Sequence, residues 1–411
     1  MNKLKYLAFL MAFFGVSTAS AQADGKNYII RFKESAMTVV KPGSVRDERT
    51  AKEPDQWGYV EERVVGHIQT LEKKHKIKAN TPFSKVFKGM SARLTDAQLN
   101  ALRRDASIDQ IEEDQTFEVL GRPSSSGSTT TQQVIPWGIT KTQATQSYAL
   151  AGNGSGTVTG MRAYVIDTGI DMKNTDLNRA GLLNFVGDGK NTDCNGHGTH
   201  VAGSIAAYDN TAAVVGMAPG VPVYGVKVLD CNGSGTTTSV IKGLDWVAAN
   251  AIKPAVANMS LGGGISQMLD DAVRATAAKG IVFSIAAGNS AADACTSSPA
   301  RIGGGTVPGV LVTAATDSND LEASFSNYGS CVDIWAPGVN VTSLKLGGGI
   351  INMSGTSMAS PHVGGAAALY WARNPSATYD SVTNNLRQMG TVTGTNSKDS
   401  RAIVRLRANV Q

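Results

Sequence analysis

The chain has 411 residues, of which 42% are hydrophobic and 17% are charged, and its formal net charge is +5. This hydrophobic content excludes a wholly disordered chain, and 45 glycines without a Gly-X-Y period exclude collagen. A positive net charge can indicate nucleic acid or anionic lipid as a partner, so its location matters. The net charge divides into +2 for residues 1–23, +2 for 24–131 and +1 for 132–411. Because the large segment 132–411 is nearly neutral, we predict no nucleic acid partner.

Residues 1–23 have the three-part pattern of a secretory signal peptide. Lys3 and Lys5 precede an apolar run at 6–16, and small residues follow up to Ala21 and Ala23. The run is shorter than the roughly 18 to 20 residues of a transmembrane helix. We therefore predict a secreted, extracellular protein whose signal peptide is cleaved and which keeps no stable membrane anchor.

Residues 24–120 are rich in charge and predict one small α+β domain, which resembles ferredoxin-like folds. The capping-box pair Thr95 and Gln98 predicts the start of a short helix. Apolar periodicity predicts the other elements, which are a strand at 27–33, a long helix at 55–78 and strands at 83–93 and 108–119. Residues 121–131 are rich in Ser, Thr and Gly and predict an exposed linker, with proteolytic cleavage expected within 121–133.

Residues 132–411 predict an α/β domain with a mainly parallel central sheet between two layers of helices. Short Val- and Ile-rich runs alternate with Ala-rich helical stretches. The strands are expected at 163–166, 223–229, 256–259, 281–286 and 310–314, and the helices at 197–207, 237–251, 266–279 and 357–373. In such folds functional residues gather in loops at the carboxyl ends of the strands.

All four cysteines lie in this large domain, at positions 194, 231, 295 and 331. An even number in an exported chain favours disulfides, and the lack of a CxxC spacing disfavours a zinc site. Three pairings are open at this point.

Three polar motifs follow predicted strands or begin predicted helices. They are VIDTGID around Asp167, NGHGTHVAG around His197 and SGTSMASPHV around Ser357. A serine nucleophile needs a base to accept its proton and a third group to orient that base, and these residue types supply the three roles. Each motif alone has ordinary structural explanations, and a zinc site at the HxxH of His197 and His200 would lack the glutamate and a third ligand.

Together, in the order Asp, His, Ser, the motifs resemble those of the subtilases, the subtilisin-like serine peptidases. YGVKVLDCNGSG, NMSLGGG, IAAGNS and ASFSNYGSCVDIWAPG resemble the proteinase K branch of that family, and residues 24–120 resemble its inhibitor-type propeptides. The resemblance implies that Asp167 orients the base, His197 is the general base and acid, and Ser357 is the nucleophile. Asn289 would donate to the oxyanion, and His200 and His362 would be structural.

The resemblance also implies an extended, uncharged substrate cleft that accepts bulky aliphatic or aromatic side chains. Its substrates would be proteins and peptides, held between two backbone segments. The residues expected to line the cleft are Gly233, Ser234, Gly235, Ser260, Leu261, Gly262, Gly263, Ala287 and Gly288.

Family pairing would join Cys194 to Cys231 and Cys295 to Cys331. A structural calcium ion would be bound by the carbonyls of Pro308 and Val310 and by the Asp333 carboxylate, a hard oxygen set suited to this ion. No catalytic metal is expected.

The resemblance thus implies a monomeric endopeptidase made as a zymogen, with its own propeptide as an intramolecular inhibitor and the mature chain starting near residues 129–132. Two alternatives remain. One is a non-catalytic secreted binding protein on a peptidase scaffold. The other is a lipase or esterase, which the absence of a GxSxG motif around Ser357 disfavours.

Overall fold

A computed structural model describes residues 25–37, 60–130 and 132–411. The predicted signal peptide and the first residues of the helix expected at 55–78 lie outside these ranges. None of the helices within them has the length and apolar content that a bilayer span requires.

Within its described residues, the N-terminal domain contains two helices and a four-stranded antiparallel sheet, in which the strands lie in the order β2 (Ala79–Phe83), β3 (Gly89–Leu94), β1 (Lys26–Phe32) and β4 (Ile108–Glu113). Val64, Ile68 and Leu71 of α1 are buried in a core that they share with the sheet. The Thr95–Gln98 capping box is present at the start of α2, as predicted. The elements are β1 (Lys26–Phe32), α1 (Glu62–His75), β2 (Ala79–Phe83), β3 (Gly89–Leu94), α2 (Asp96–Arg103) and β4 (Ile108–Glu113), with a 3₁₀ turn at Glu34–Ala36.

Two of the predicted strands in this domain are wrong in extent. Residues 83–93 do not form one strand, because the chain reverses between β2 and β3 and Phe83 pairs with Gly89. Residues 108–119 divide into β4 and β5 (Thr116–Val119), which belong to different sheets. Apolar residues occur on both sides of the break, at 108 and 111 and at 117 and 119, so the pattern does not mark the break at Asp114 and Gln115.

The large domain is built on a nine-stranded sheet, which is parallel except for one antiparallel pair, β18 and β19, at its edge. Its order is β18-β19-β15-β14-β13-β11-β7-β9-β8. The bounds are β7 (Arg162–Asp167), β8 (Arg179–Asn184), β9 (Val223–Lys227), β11 (Ala255–Met259), β13 (Ile281–Ala286), β14 (Val310–Thr316), β15 (Ile334–Pro337), β18 (Thr391–Asn396) and β19 (Ala402–Arg405).

Helices cover both faces of this sheet, so the predicted three-layer α/β architecture is confirmed. Successive side chains of β7 enter opposite cores, with Ala163 and Val165 in one and Tyr164 and Ile166 in the other. The first core is shared with α4 (His197–Ala206), α7 (Thr356–Arg373) and α8 (Tyr379–Met389), and the second with α5 (Thr237–Asn250) and α6 (Gln267–Ala277). A short helix, α3 (Trp137–Lys141), and 3₁₀ turns at Ala144–Gln146, Ala294–Thr296 and Ala300–Ile302 complete the helical elements of the described ranges.

Two small antiparallel sheets join the N-terminal segment to the large domain. In one, β5 lies between β10 (Ser234–Thr236) and β12 (Leu261–Gly263). In the other, β6 (Arg122–Pro123) pairs with β17 (Ile350–Ser354), which also pairs with β16 (Val341–Leu344). The chain between β5 and β6 therefore crosses the carboxyl-end edge of the central sheet.

Candidate active site

Asp167 is the last residue of β7, and its position is fixed by the neighbouring strand. Its carbonyl oxygen accepts hydrogen bonds from the backbone N–H groups of Val228 (2.9 Å) and Leu229 (3.2 Å). Its buried carboxylate accepts one from Thr168 N at 2.7 Å. The carboxylate is thus held at the strand end, pointing toward the start of α4.

His197 is the first residue of α4, and its Nδ1 lies 2.8 Å from Asp167 Oδ1 and 3.0 Å from Oδ2. The helix approaches this loop closely, since a methyl group on Gly198 would lie 2.0 Å from the Gly169 carbonyl oxygen. The carboxylate favours a proton on Nδ1, which leaves Nε2 as the basic nitrogen. That Nε2 is buried and has no hydrogen-bond partner among the described residues.

The other two histidines of the motifs are fully buried. His200 Nε2 lies 3.0 Å from the Val341 carbonyl oxygen, and burial lowers the pKa of His200 to about 3. His362 Nδ1 lies 2.8 Å from the Met358 carbonyl oxygen, and burial lowers its pKa to about 4. Both rings are neutral at ordinary pH and fill the core, as expected for structural histidines.

Ser357 lies in the first turn of α7, where its hydroxyl donates to the Ser260 carbonyl oxygen at 2.9 Å. In return, the Ser260 hydroxyl donates to the Ser357 carbonyl oxygen at 2.9 Å. No hydrogen bond joins the Ser357 hydroxyl to His197 Nε2. Asp167, His197 and Ser357 are brought to one edge of the sheet, with the hydroxyl turned aside from the imidazole.

A carbonyl oxygen from the N-terminal segment lies beside this serine. Leu120 O accepts hydrogen bonds from Asn289 Nδ2 at 2.7 Å and from Ser357 N at 3.2 Å. The Asn289 amide is oriented by Thr356, whose N–H and hydroxyl both donate to its Oδ1 at 2.9 and 2.8 Å. Gly355 leaves space for the carbonyl, since a methyl group there would lie 2.2 Å from Leu120 O.

Strand β5 leads into this position and is held by backbone pairing on both sides. Glu118 pairs with both Ser234 and Gly262, and Phe117 with both Gly235 and Gly263. At the end of the strand, Val119 N donates to Gly233 O at 3.0 Å, and just beyond it Leu120 N donates to Ser260 O at 3.2 Å. The two backbone segments that the sequence predicts as the cleft therefore hold residues 116–120 as an extended peptide.

The Leu120 side chain faces a cavity of about 400 Å³. A methyl group on Gly262 would lie 3.0 Å from Leu120 Cδ1, so glycine sets the width of the cavity at that wall. Within the described residues the large domain contributes only uncharged side chains to the lining, including Gly262, Gly263, Ala287, Gly288 and Ser298.

Comparison with known proteins identifies the family. Residues 160–402 match the subtilase family, and residues 27–120 match the family described as peptidase inhibitor I9. The chain belongs to the subtilases. It is 43% identical over 313 residues to alkaline serine exoprotease A of Vibrio alginolyticus, which covers 75% of this chain and 56% of that protein. It is 41% identical over 311 residues to an extracellular serine proteinase of Thermus sp. (strain Rt41A), covering 74% and 71%.

The crystal structure of a cold adapted subtilisin-like serine proteinase matches with a TM-score of 0.58 and 41% identity. The match covers 67% of this chain and 98% of that one. The subtilase domain and the I9 domain that the sequence resemblance implied are both confirmed by these matches.

The bond that crosses the cleft of this subtilase is the one between Leu120 and Gly121. A methyl group on Gly121 would lie 2.8 Å from His197 Nε2, so this residue sits against the imidazole. The chain then pairs with β17, with Arg122 opposite Ser354 and Pro123 opposite Met353. The sequence places cleavage within 121–133, and the bond held in the cleft immediately precedes that segment. In the sequence this bond is marked by Leu120, which is the last apolar residue before the linker.

The four cysteines of the subtilase domain form two disulfides, Cys194–Cys231 and Cys295–Cys331, the pairing that the resemblance implies. The first closes the loop that carries His197 against the loop before β10.

The residues expected to bind calcium lie between β14, β15 and α8. Val310 is the first residue of β14, Asp333 immediately precedes β15, and Pro308 is exposed in the loop before β14. The Arg387 guanidinium, from α8, lies between Val310 and Asp333, with Nη2 donating to Val310 O at 2.8 Å and Nε to Asp333 Oδ1 at 3.1 Å. Sequence reasoning missed Arg387, which lies 54 positions beyond Asp333 in the chain.

Proposed function

We propose that this chain is the precursor of a secreted serine endopeptidase, and that the Leu120–Gly121 bond is its first substrate. The observation that carries this proposal is the Leu120 carbonyl, which accepts hydrogen bonds from Asn289 Nδ2 and Ser357 N. Two donors converging on a carbonyl oxygen next to a serine hydroxyl are what acyl transfer requires, because negative charge develops on that oxygen. The relative from Thermus that is named extracellular and the predicted signal peptide support secretion.

In this proposal His197 Nε2 accepts the proton of Ser357 as the serine oxygen attacks the Leu120 carbonyl carbon. The Asp167 carboxylate stabilises the imidazolium that forms. The tetrahedral oxyanion is stabilised by Asn289 and the Ser357 N–H, and His197 then gives the proton to the departing Gly121 nitrogen. Water, activated by the same imidazole, hydrolyses the acyl-enzyme at Leu120. The Ser357 hydroxyl must first turn from Ser260 O toward His197, so this rotation precedes the chemistry.

We further propose that the enzyme prefers bulky apolar residues before the cut. Leu120 provides the example, because it faces an uncharged cavity whose wall is Gly262. A basic side chain there would find no carboxylate of the large domain among the lining residues. The same reasoning favours Leu, Phe or Tyr over Lys, Arg, Asp or Glu in other protein substrates.

The decisive experiment compares secreted wild-type protein with Ser357→Ala by intact mass, N-terminal sequencing and casein hydrolysis. We expect the wild type to yield a chain that begins at Gly121 or is trimmed from it, and Ser357→Ala to stay joined at Leu120–Gly121 and be inactive. Ser376→Ala, an exposed serine at the turn after α7, is the matched control and should process normally.

A Ser357→Ala protein that is cut at Leu120–Gly121 and digests casein would contradict the proposal. Wild-type protein that is processed but does not react with a fluorophosphonate would instead support the non-catalytic binding protein. The two outcomes are distinguishable because the first concerns the role of Ser357 and the second concerns activity as such.

A further inference from the structure

At the position expected for calcium, beside Val310 O and the Asp333 carboxylate, lies a positively charged side chain of the protein itself, that of Arg387. The Arg387 guanidinium uses all three of its nitrogens there, because Nη1 donates to Asn384 Oδ1 at 2.9 Å in addition to the bonds to Val310 O and Asp333 Oδ1. The Asp333 side chain is 1% exposed and that of Arg387 is 21% exposed. The pair is therefore a buried carboxylate covered by a half-buried cation.

The Asp333 carboxylate also accepts two backbone hydrogen bonds. Gly305 N donates to Oδ1 at 2.7 Å and Val312 N donates to Oδ2 at 2.8 Å. Calcium binds six to eight oxygens at about 2.3–2.6 Å, each through a lone pair that points at the ion. The Arg387 guanidinium occupies lone pairs of Asp333 Oδ1 and of Val310 O that an ion would need, so the residues present do not fit a calcium ion while Arg387 stays in place.

The charges lead to the same conclusion. A divalent ion bound to Asp333 and Val310 O would lie against a guanidinium of the same sign within a few ångströms, where little water screens the repulsion. The ion and the arginine side chain therefore exclude each other. A planar guanidinium has an advantage over a lysine here, because its fixed fork reaches a carboxylate and a carbonyl at once.

We propose that Arg387 replaces calcium at this position and that its guanidinium joins the start of β14, the residue before β15 and the end of α8 without a metal. The consequence is that the stability of this part of the subtilase domain does not depend on calcium. The proposal concerns the Val310–Asp333 position alone and does not depend on the catalytic roles proposed above.

The first test counts calcium ions in the full-length chain. Ser357→Ala protein, checked by mass to be uncut, is titrated with calcium chloride by isothermal calorimetry, beside the Ser357→Ala, Asp333→Asn double variant. We expect the same number of bound ions in both, because Asp333 already bonds to Arg387. Loss of one ion equivalent on Asp333→Asn would overturn the proposal.

The second test measures thermal unfolding in excess EDTA and in millimolar calcium, again in the Ser357→Ala chain. Arg387→Ala should lower the midpoint in EDTA by about 5 °C or more, since it leaves a buried carboxylate uncompensated. Arg387→Lys should lower the midpoint by less, because the positive charge remains. Arg274→Ala, which removes a partly exposed arginine from α6, is the matched control and should leave the midpoint within about 1 °C.

Calcium should restore at least half of the Arg387→Ala loss, because the freed Val310 carbonyl and Asp333 carboxylate can then bind the ion. The Arg387→Ala, Asp333→Asn double variant should show no such recovery. An Arg387→Ala midpoint equal to that of the parent in EDTA, or no recovery in calcium, would each overturn the idea that arginine and calcium are alternatives at one site.

Discussion

The N-terminal domain contacts the subtilase domain in two regions that differ in kind. In the cleft, residues 116–120 are held by backbone hydrogen bonds to β10 and β12. Away from the cleft, side chains dominate. Phe83 is fully buried in the core shared with α5 and α6, and the Asp245 carboxylate of α5 accepts the backbone N–H groups of Ser84, Lys85 and Val86 at 2.6–3.2 Å.

This difference separates a general contact from a specific one. We expect any extended peptide with an apolar residue at the position of Leu120 to make the backbone pairs of the cleft. The contact with α5 and α6 requires the side chains and turns of this particular domain. Cutting after Leu120 leaves the second contact intact, so we expect the cut N-terminal domain to remain bound as an inhibitor. The predictions below separate the two contacts.

The largest expected effect is a loss of catalytic rate, caused by a substitution in the cleft. Asn289→Ala removes one of the two donors to the Leu120 carbonyl, and we expect kcat to fall by about 10² to 10³-fold, a range taken from subtilisin, itself a subtilase. Self-cleavage should slow in proportion, because the same donors act on the precursor. Rates of precursor loss on gels and of chromogenic peptide hydrolysis measure both effects.

Asn327→Ala is an informative control for Asn289→Ala. Asn327 is a buried asparagine in the wall of the cavity, and its side chain bonds to the backbone of Ala287 and Ser290 and not to Leu120. Asn327→Ala should lower the thermal midpoint but leave both kcat and the rate of self-cleavage within about threefold of the wild type, since both donors to the Leu120 carbonyl remain. If Asn289→Ala left kcat within threefold of the wild type, the oxyanion role of Asn289 would be wrong.

Phe83→Ala should weaken the second contact most. The side chain is fully buried against the subtilase domain, and loss of such a phenylalanine costs about 3 kcal/mol or more, roughly a 100-fold increase in the dissociation constant. The cut complex is purified and diluted, and recovery of peptidase activity is followed as the N-terminal domain leaves. Faster recovery without a change in kcat of the free enzyme is expected, whereas an unchanged release rate would show that Phe83 does not hold the complex.

Whether the sequence could predict a feature depends on how far apart along the chain its interacting residues lie. The Thr95 capping box is local and was predictable, and the order of Asp167, His197 and Ser357 identified residues that the fold brings together. The break between β4 and β5 was not predictable from the sequence, because there Gln115 and Asp114 bond to Thr237 and Thr238 of the subtilase domain. Arg387 was equally hidden, since its partners Val310 and Asp333 come from other elements and no local pattern links them.

Asp245→Ala should have a smaller effect than Phe83→Ala. It removes an acceptor for three backbone N–H groups, and hydrogen bonds to a charged group contribute about 1.5–3 kcal/mol, or roughly 10- to 100-fold in affinity. Asp271→Ala is the matched control on the neighbouring helix. Its carboxylate pairs with Arg31 at 2.7 Å but is 31% exposed, so its loss should cost below about 1 kcal/mol. Equal release rates for the two variants would contradict this ranking.

The smallest expected effect is a dependence of this contact on pH. Burial raises the pKa of Asp245 to about 6 in the precursor, and release of the N-terminal domain uncovers the carboxyl and returns its pKa toward the ordinary value near 3.8. The bound form therefore takes up a proton more readily than the free form, so inhibition should strengthen as pH falls from 7 to 5, by about tenfold for this one group. Fractional inhibition, measured at each pH against the free enzyme at the same pH, tests this. Asp245→Ala should flatten the profile, and inhibition that weakens toward pH 5 in the unchanged enzyme would show that another group governs the contact.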